Sequence, residues 1–185
     1  PAANGGAGAW VALGNSLSPG GISGTATADQ PIIVQTATGP AVAWLNKSGG
    51  VAEIRVRRWT GAAWENVGPS AAISATDLQQ LAFTTDGTKL AVAWSQSLSG
   101  VPRVYALEFA GVSWLPLAAS ASGNGVSTNA LSADQPAIGY HDGSLFAAWR
   151  QFIREGTSES EIYAARFDGA SWTEAGSSAA SASGA

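Results

Sequence analysis

The chain has 185 residues, of which 45% are hydrophobic and only 12% charged, half the usual charged fraction of a globular chain. That length supports one or two domains and one good core, and the composition excludes a charge-rich disordered tail. Nine Lys and Arg stand against thirteen Asp and Glu, for a net charge of −4, which argues against a binder that neutralises nucleic-acid phosphates. No apolar run approaches the ~18 residues of a membrane span. Cys is absent, so disulfides, thiolate metal sites and Cys nucleophiles are excluded.

In chain order, residues 1–9 are small and Gly/Ala-rich and read as an N-terminal arm. Gly8–Leu13 reads as a strand, with Trp10, Val11, Ala12 and Leu13 as its apolar body. Three diverged units follow, at about residues 11–67, 68–117 and 118–176, and together they form one repeat domain over 10–176. In the first unit Pro31–Thr36, Ala41–Leu45, Glu53–Trp59 and Trp64–Val67 read as strands, with a turn at Thr38-Gly39-Pro40 and a polar loop at Asn46–Gly50. The second gives Leu81–Thr84, Leu90–Ser95, Arg103–Phe109 and Trp114–Leu117 around the turn Asp86-Gly87-Thr88. The third gives Ala137–Tyr140, Leu145–Gln151, Glu161–Phe167 and Trp172–Ala175 around Asp142-Gly143. Asp-Gly between apolar runs is a strong hairpin signal, and no stretch keeps a 3.6-residue period over helical length. Residues 177–185 are Ser/Ala/Gly and read as a flexible tail.

Landmarks recur through the units, which is the signature of a repeat architecture. Trp44, Trp94 and Trp149 end short apolar runs, and Trp64, Trp114 and Trp172 each follow a Gly by three residues. Ala28-Asp29-Gln30-Pro31 returns as Ala133-Asp134-Gln135-Pro136, with Asp77-Leu78-Gln79-Gln80 read as the middle copy. The third strand of each unit has apolar or aromatic groups on both faces, as in a sheet covered on two sides.

With Trp59-Thr60-Gly61-Ala62-Ala63-Trp64, Phe109-Ala110-Gly111-Val112-Ser113-Trp114 and Phe167-Asp168-Gly169-Ala170-Ser171-Trp172, the chain resembles bacterial secreted β-propeller repeats. Their blades carry such a corner between the third and fourth strands. The last corner is similar to a degenerate Asp-box of sialidase-like propellers. The resemblance implies an all-β fold of three four-stranded antiparallel blades plus one extra N-terminal strand. A three-fold β-trefoil or β-prism is the alternative.

Chemistry is sparse. The one His, His141, lies in a hairpin turn, so neither a Ser-His-Asp triad nor a His metal cluster is expected. Asp29, Asp77 and Asp134 read as turn or capping groups, with ligand binding at Asp29 and Asp134 as the sharper reading. Trp59 is the candidate sugar platform, since it is an indole where the other units have Phe. Arg55, Arg57 and Arg58 are split between two strand faces. Asn46-Lys47-Ser48 is an N-glycosylation sequon. Three blades fall short of the ~4–8 of a closed ring, and open blade faces attract partners. The sequence therefore predicts a secreted, non-enzymatic repeat protein, without cofactor or metal, that assembles with copies of itself through Trp10–Leu13 as an extracellular structural or adhesive component, in a ring, filament or surface layer. A lectin for cell-surface glycans is the alternative, and a sialidase-like hydrolase fragment the third reading.

Overall fold

In the computed structural model, residues 10–24, 27–69, 73–128 and 131–175 are described. They form three antiparallel sheets. The first contains β1 (Ala28–Thr36), β2 (Gly39–Ser48), β3 (Val51–Trp59) and β4 (Trp64–Asn66) in sequential order. A short strand that the sequence did not announce, β5 (Ile73–Ala75), pairs with the far end of β3. The second sheet is β6 (Leu78–Thr85), β7 (Leu90–Leu98), β8 (Val101–Phe109) and β9 (Trp114–Pro116). The third is β10 (Ala133–His141), β11 (Ser144–Phe152), β12 (Ser160–Phe167) and β13 (Trp172–Glu174).

The sheets stack as blades. β6 packs against both β1 and β10, so the three first strands lie side by side at one edge of the stack. Side chains alternate across each strand and fill two layers. Ala41, Ala43 and Leu45 meet Leu90, Val92 and Trp94 between the first two blades. Ala93, Val104 and Ala106 meet Ala147, Trp149 and Ala165 between the second and third. β7 is buried on both faces from Leu90 to Ser95, which explains its unbroken apolar run. Burying one such Leu or Val contributes about 1.5–3 kcal/mol.

The first strands begin earlier than the sequence predicts. Ala28 and Asp29 pair with Asn46 and Leu45 before a bulge that ends at Ile32. The bulge lets Pro31 sit inside a strand, because the ladder skips its missing N–H. The same bulge lies between Gln79 and Ala82 and between Asp134 and Ala137. This register corrects one equivalence. The counterpart of Asp29 and Asp134 is Gln79, opposite Ser95, and Asp77 lies two residues upstream in the turn before β6.

A second correction concerns the N-terminus. Trp10–Leu13 pairs with no strand among the described residues, and Trp10 is 97% exposed. β4, and not this segment, pairs with the Arg57–Trp59 end of β3. Gly8 and Ala9 lie outside the described residues. Yet the segment does end like a fourth strand. The Trp64 indole donates to Leu13 O at 2.9 Å, as Trp114 does to Val67 O at 3.0 Å and Trp172 to Leu117 O at 3.0 Å. Leu13 N donates to Ser16 Oγ just as Leu117 N donates to Ser120 Oγ. After each acceptor the chain turns through positive φ, at Gly14 (59°), Gly68 (78°) and Ala118 (55°). At Gly68 a Cβ would lie 2.8 Å from the Phe109 ring, so the close approach needs glycine there.

Two measurements check these joints. Trp114→Phe strands the buried Val67 carbonyl and is expected to cost about 1–3 kcal/mol. Trp64→Phe, at the exposed joint, is expected to cost less, and equal melting-temperature losses would contradict the assignment. The corner glycines have φ of 94° (Gly61), 86° (Gly111) and 102° (Gly169) with open space around them. Gly111→Val is therefore a test of backbone strain alone, expected at about 1–3 kcal/mol in chemical denaturation.

Candidate functional site

The bulged starts of β1, β6 and β10 place polar side chains together at one end of the blades. Gln30, Gln80 and Gln135 occupy the bulges with φ of 52°, 49° and 52°, a left-handed conformation that costs a non-glycine residue about 1 kcal/mol or more. Neighbouring blades hold them there. Gln30 Oε1 accepts the Leu81 N–H at 3.0 Å, and Gln80 Oε1 accepts the Gln135 N–H at 2.8 Å and the Ser95 hydroxyl at 2.9 Å. Gln is thus the residue that recurs in every unit. The signal is present in the sequence as Gln30, Gln80 and Gln135, next to more conspicuous acids in a charge-poor chain.

The acids beside the bulges are clamped by cations of the second strands. Asp134 accepts both Nε (2.7 Å) and an Nη (2.6 Å) of Arg150, whose guanidinium lies 4.9 Å from the Phe152 ring centre. Asp29 accepts from Lys47 Nζ at 3.0 Å and from the Gln30 N–H at 2.9 Å. The Lys47 hydrogen bond, the Gln30 N–H and the Lys47 charge together hold the Asp29 carboxyl below the usual carboxylate range. Asp77 is exposed and has no ion-pair partner among the described residues.

Grooves run between the blades at this end. One of about 440 Å³ separates the β2–β3 loop, with Lys47 to Ala52, from Thr76 to Gln80. A smaller one of about 60 Å³ is bounded by Asp77, Gln79, Gln80, Gln96 and Asp134. Asp77 borders both. A third, of about 370 Å³, lies among Val101, Leu131, Phe152, Arg154 and Thr157.

Other expected site residues lie elsewhere. Trp59 ends β3, at the opposite end of the first blade from Asp29. Its ring packs against Trp64, with centroids 5.8 Å apart, and beside Gly14 and Gly39. Asn46 is not in a loop, because β2 runs on to Ser48; it is 5% exposed and accepts the Thr27 hydroxyl at 3.2 Å. His141 stands exposed at its turn, 3.4 Å from Asp142. Asp168 Oδ1 accepts the Ala170 and Ser171 N–H groups, and the Ser171 bond first, then that of Ala170, lowers its pKa. A Tyr140–Glu108 bond of 2.7 Å ties the second blade to the third.

No family model matches the chain, and no curated protein matches it. Solved structures do. The α-L-arabinanase of Penicillium chrysogenum, solved with arabinobiose, superposes with a TM-score of 0.53 over 82% of this chain and 51% of its own, at 10% identity. A thermostable family-43 glycoside hydrolase gives 0.49, over 81% and 57%, at 14% identity. The endo-arabinase of Bacteroides thetaiotaomicron gives 0.45, over 80% and 62%, at 18% identity. The fold is that of a β-propeller. At these identities the likeness is one of fold, and the chain spans about half the length of the arabinanase.

This finding overturns the expectation of a non-enzymatic, self-assembling structural or adhesive protein. That expectation rested on a blade count that only copies of the chain could make good. Three such blades instead correspond to about half of the arabinanase, a propeller that closes within one chain's fold class without recourse to copies.

The Asp29 clamp has a pH consequence. A carboxyl whose folded pKa lies below its unfolded value stabilises the fold above about pH 4 and loses that contribution as pH falls through the folded pKa. Lys47→Gln is expected to move the Asp29 titration upward, toward the usual carboxylate range, measured by NMR of its carboxyl carbon. An unmoved titration would show that Lys47 does not hold it.

Proposed function

We propose that this chain forms the substrate-binding side of a propeller enzyme that cleaves a neutral polysaccharide outside the cell. One observation carries the reading: Asp77 and Asp134 border the same groove, among the amides of Gln79, Gln80 and Gln96. Two carboxyl groups are the minimum set for hydrolysing a glycosidic bond. Amides and carboxylates together satisfy sugar hydroxyls, which both donate and accept. Asp77 takes the role of general acid, because no cation of the described residues holds it. Asp134, fixed by Arg150, stabilises positive character at the anomeric carbon. The Asp168 turn supports an Asp-box-like origin for the blades. The arabinanase of like fold makes arabinan the first polymer to try.

Arabino-oligosaccharide binding is expected in the millimolar range by calorimetry or NMR. Reducing-end release from arabinan is expected to fall by about 10²–10⁴ in Asp77→Asn with binding retained, whereas Asp134→Asn weakens both. A wild-type chain that binds no oligosaccharide of any neutral polymer tried would sink the reading.

A further inference from the structure

Each fourth-strand segment leads into a short trailing stretch that the sequence repeats. Six residues after its Trp stands a Ser in all four copies: Ser16, Ser70, Ser120 and Ser178. Gly68, Ser70, Ala71 and Ala72 return as Gly176, Ser178, Ala179 and Ala180. In the first two blades the trailing stretch runs back along the third strand. β5 lies antiparallel to β3, with Ile73 opposite Ile54, Ser74 opposite Glu53 and Ala75 opposite Ala52. In the second blade Ser120 O accepts the Ala106 N–H, and Val126 N donates to Val104 O. The same stretch covers Tyr105, whose hydroxyl donates to Gly123 O at 2.9 Å. Gly125 passes so close that a Cβ there would lie 2.9 Å from the Tyr105 ring, and Tyr105 is buried.

The third blade presents the same surface, and residues 176–185 lie outside the described residues. Tyr163, the counterpart of Tyr105, stacks on Trp149 with centroids 6.3 Å apart. It is only half-buried, and its hydroxyl reaches Glu161 Oε2 at 3.4 Å. Around these rings lies a groove of about 310 Å³, walled by Val126, Trp149, Tyr163 and Trp172 and edged by Thr173 and Glu174. Ala175 N donates to Ala164 O, and Ala164 lines the groove, so the chain leaves β13 at its mouth. Ile162 lies two residues before Ala164, so its N–H and C=O point to the same side, away from β11. No strand among the described residues pairs with it there, since β13 pairs only with Ala165 to Phe167. An open edge of this kind is a template for a further strand.

We propose that residues 176–183 dock in this groove and continue as an edge strand on β12, with Ser181 opposite Ile162, Ala182 opposite Glu161 and Ser183 opposite Ser160. The register is that of β5 on β3. Ser181 stands nine residues after Trp172, as Ile73 does after Trp64. Ile162 corresponds to Ile54, because each pairs with the residue that follows the second-strand Trp, Arg150 in one blade and Leu45 in the other. Ten residues follow Ala175 in this chain, and eight complete the path. Small side chains suit a close approach to aromatic rings, as Gly125 does over Tyr105. A strand there satisfies the outward N–H and C=O of Ile162 and removes the open edge. The groove shares no lining residue with the Asp77–Asp134 groove and stands apart from the catalytic reading.

The test is amide hydrogen exchange and NOE spectroscopy on the whole chain. A methyl group of Ala179, Ala180 or Ala182 is expected to give an NOE to the Tyr163 or Trp172 ring. The Ile162 amide is expected to exchange at least about tenfold more slowly than in a chain ending at Ala175. Ser181→Pro removes the N–H that pairs with Ile162 O and leaves β10 to β13 untouched, and it is expected to speed the Ile162 amide by a similar factor. This variant carries the comparison where the shortened chain does not fold. The Trp114 indole signal, fixed by its bond to Val67 O, reports folding in every chain. The absence of any such NOE, or an Ile162 amide that exchanges alike in the whole chain and the variants, overturns the proposal. So does a titration of the whole chain with L-arabinose, up to about 0.1 M, that shifts the Tyr163 and Trp149 ring signals, since the groove is then open to a soluble ring.

Discussion

The blades are held in order by a hydrogen bond that recurs at every joint. The Trp at the start of each fourth strand reaches back and donates its indole N–H to the carbonyl that ends the previous fourth-strand segment. Such a bond carries information beyond its roughly 1 kcal/mol. Sheets covered on both faces by Ala, Val and Leu slide easily in register, because apolar contact is non-directional. A directional bond at the rim, repeated at Leu13, Val67 and Leu117, fixes how far each blade is displaced from the last.

A second set of bonds does the same work at the opposite edge. Gln30 and Gln80 sit in strained bulges and are held there by N–H groups of the next blade. The strain and the joint are one feature: a bulge turns the strand start, and the turned Gln reaches across. The same bulge carries Asp29 and Asp134 to the surface, where Lys47 and Arg150 fix them. The polar face therefore follows from how the inner strands are joined. Local asymmetry then distinguishes the blades. Gln79 replaces an acid in the middle, Asp77 adds one two residues away, and Asn46 replaces Gln in the first.

Much of this was legible in the residues alone. Three units, their strands, the Asp-Gly hairpin at Asp142-Gly143 and the glycine corners follow from local preferences, because alternation, turn chemistry and positive φ are decided within a few residues. The blade-like resemblance rested on corners such as Phe109 to Trp114, and the propeller fold agrees with it. The number of blades in one chain does not show whether copies must complete a ring, and the structural-protein reading failed on that point.

What only the tertiary structure decided is which residues are equivalent and what each one meets. Spacing alone aligned Asp77 with Asp29 and Asp134, because acids stand out in a charge-poor chain; the strand register places Gln79 there, since pairing partners and not residue type define position in a sheet. Trp10–Leu13 has the sequence of a fourth strand but pairs with no strand among the described residues, because strand formation depends on a partner edge that residues far along the chain place or withhold. Asn46 reads as a loop residue by composition and is buried because β2 continues past it against Val51 to Glu53. The sequence by itself determined the repeating unit, its turns and its two-faced strands. The joints between units and the shared polar face arise from contacts between residues up to about fifty positions apart, and no local pattern specifies which of several similar side chains will meet across such a distance.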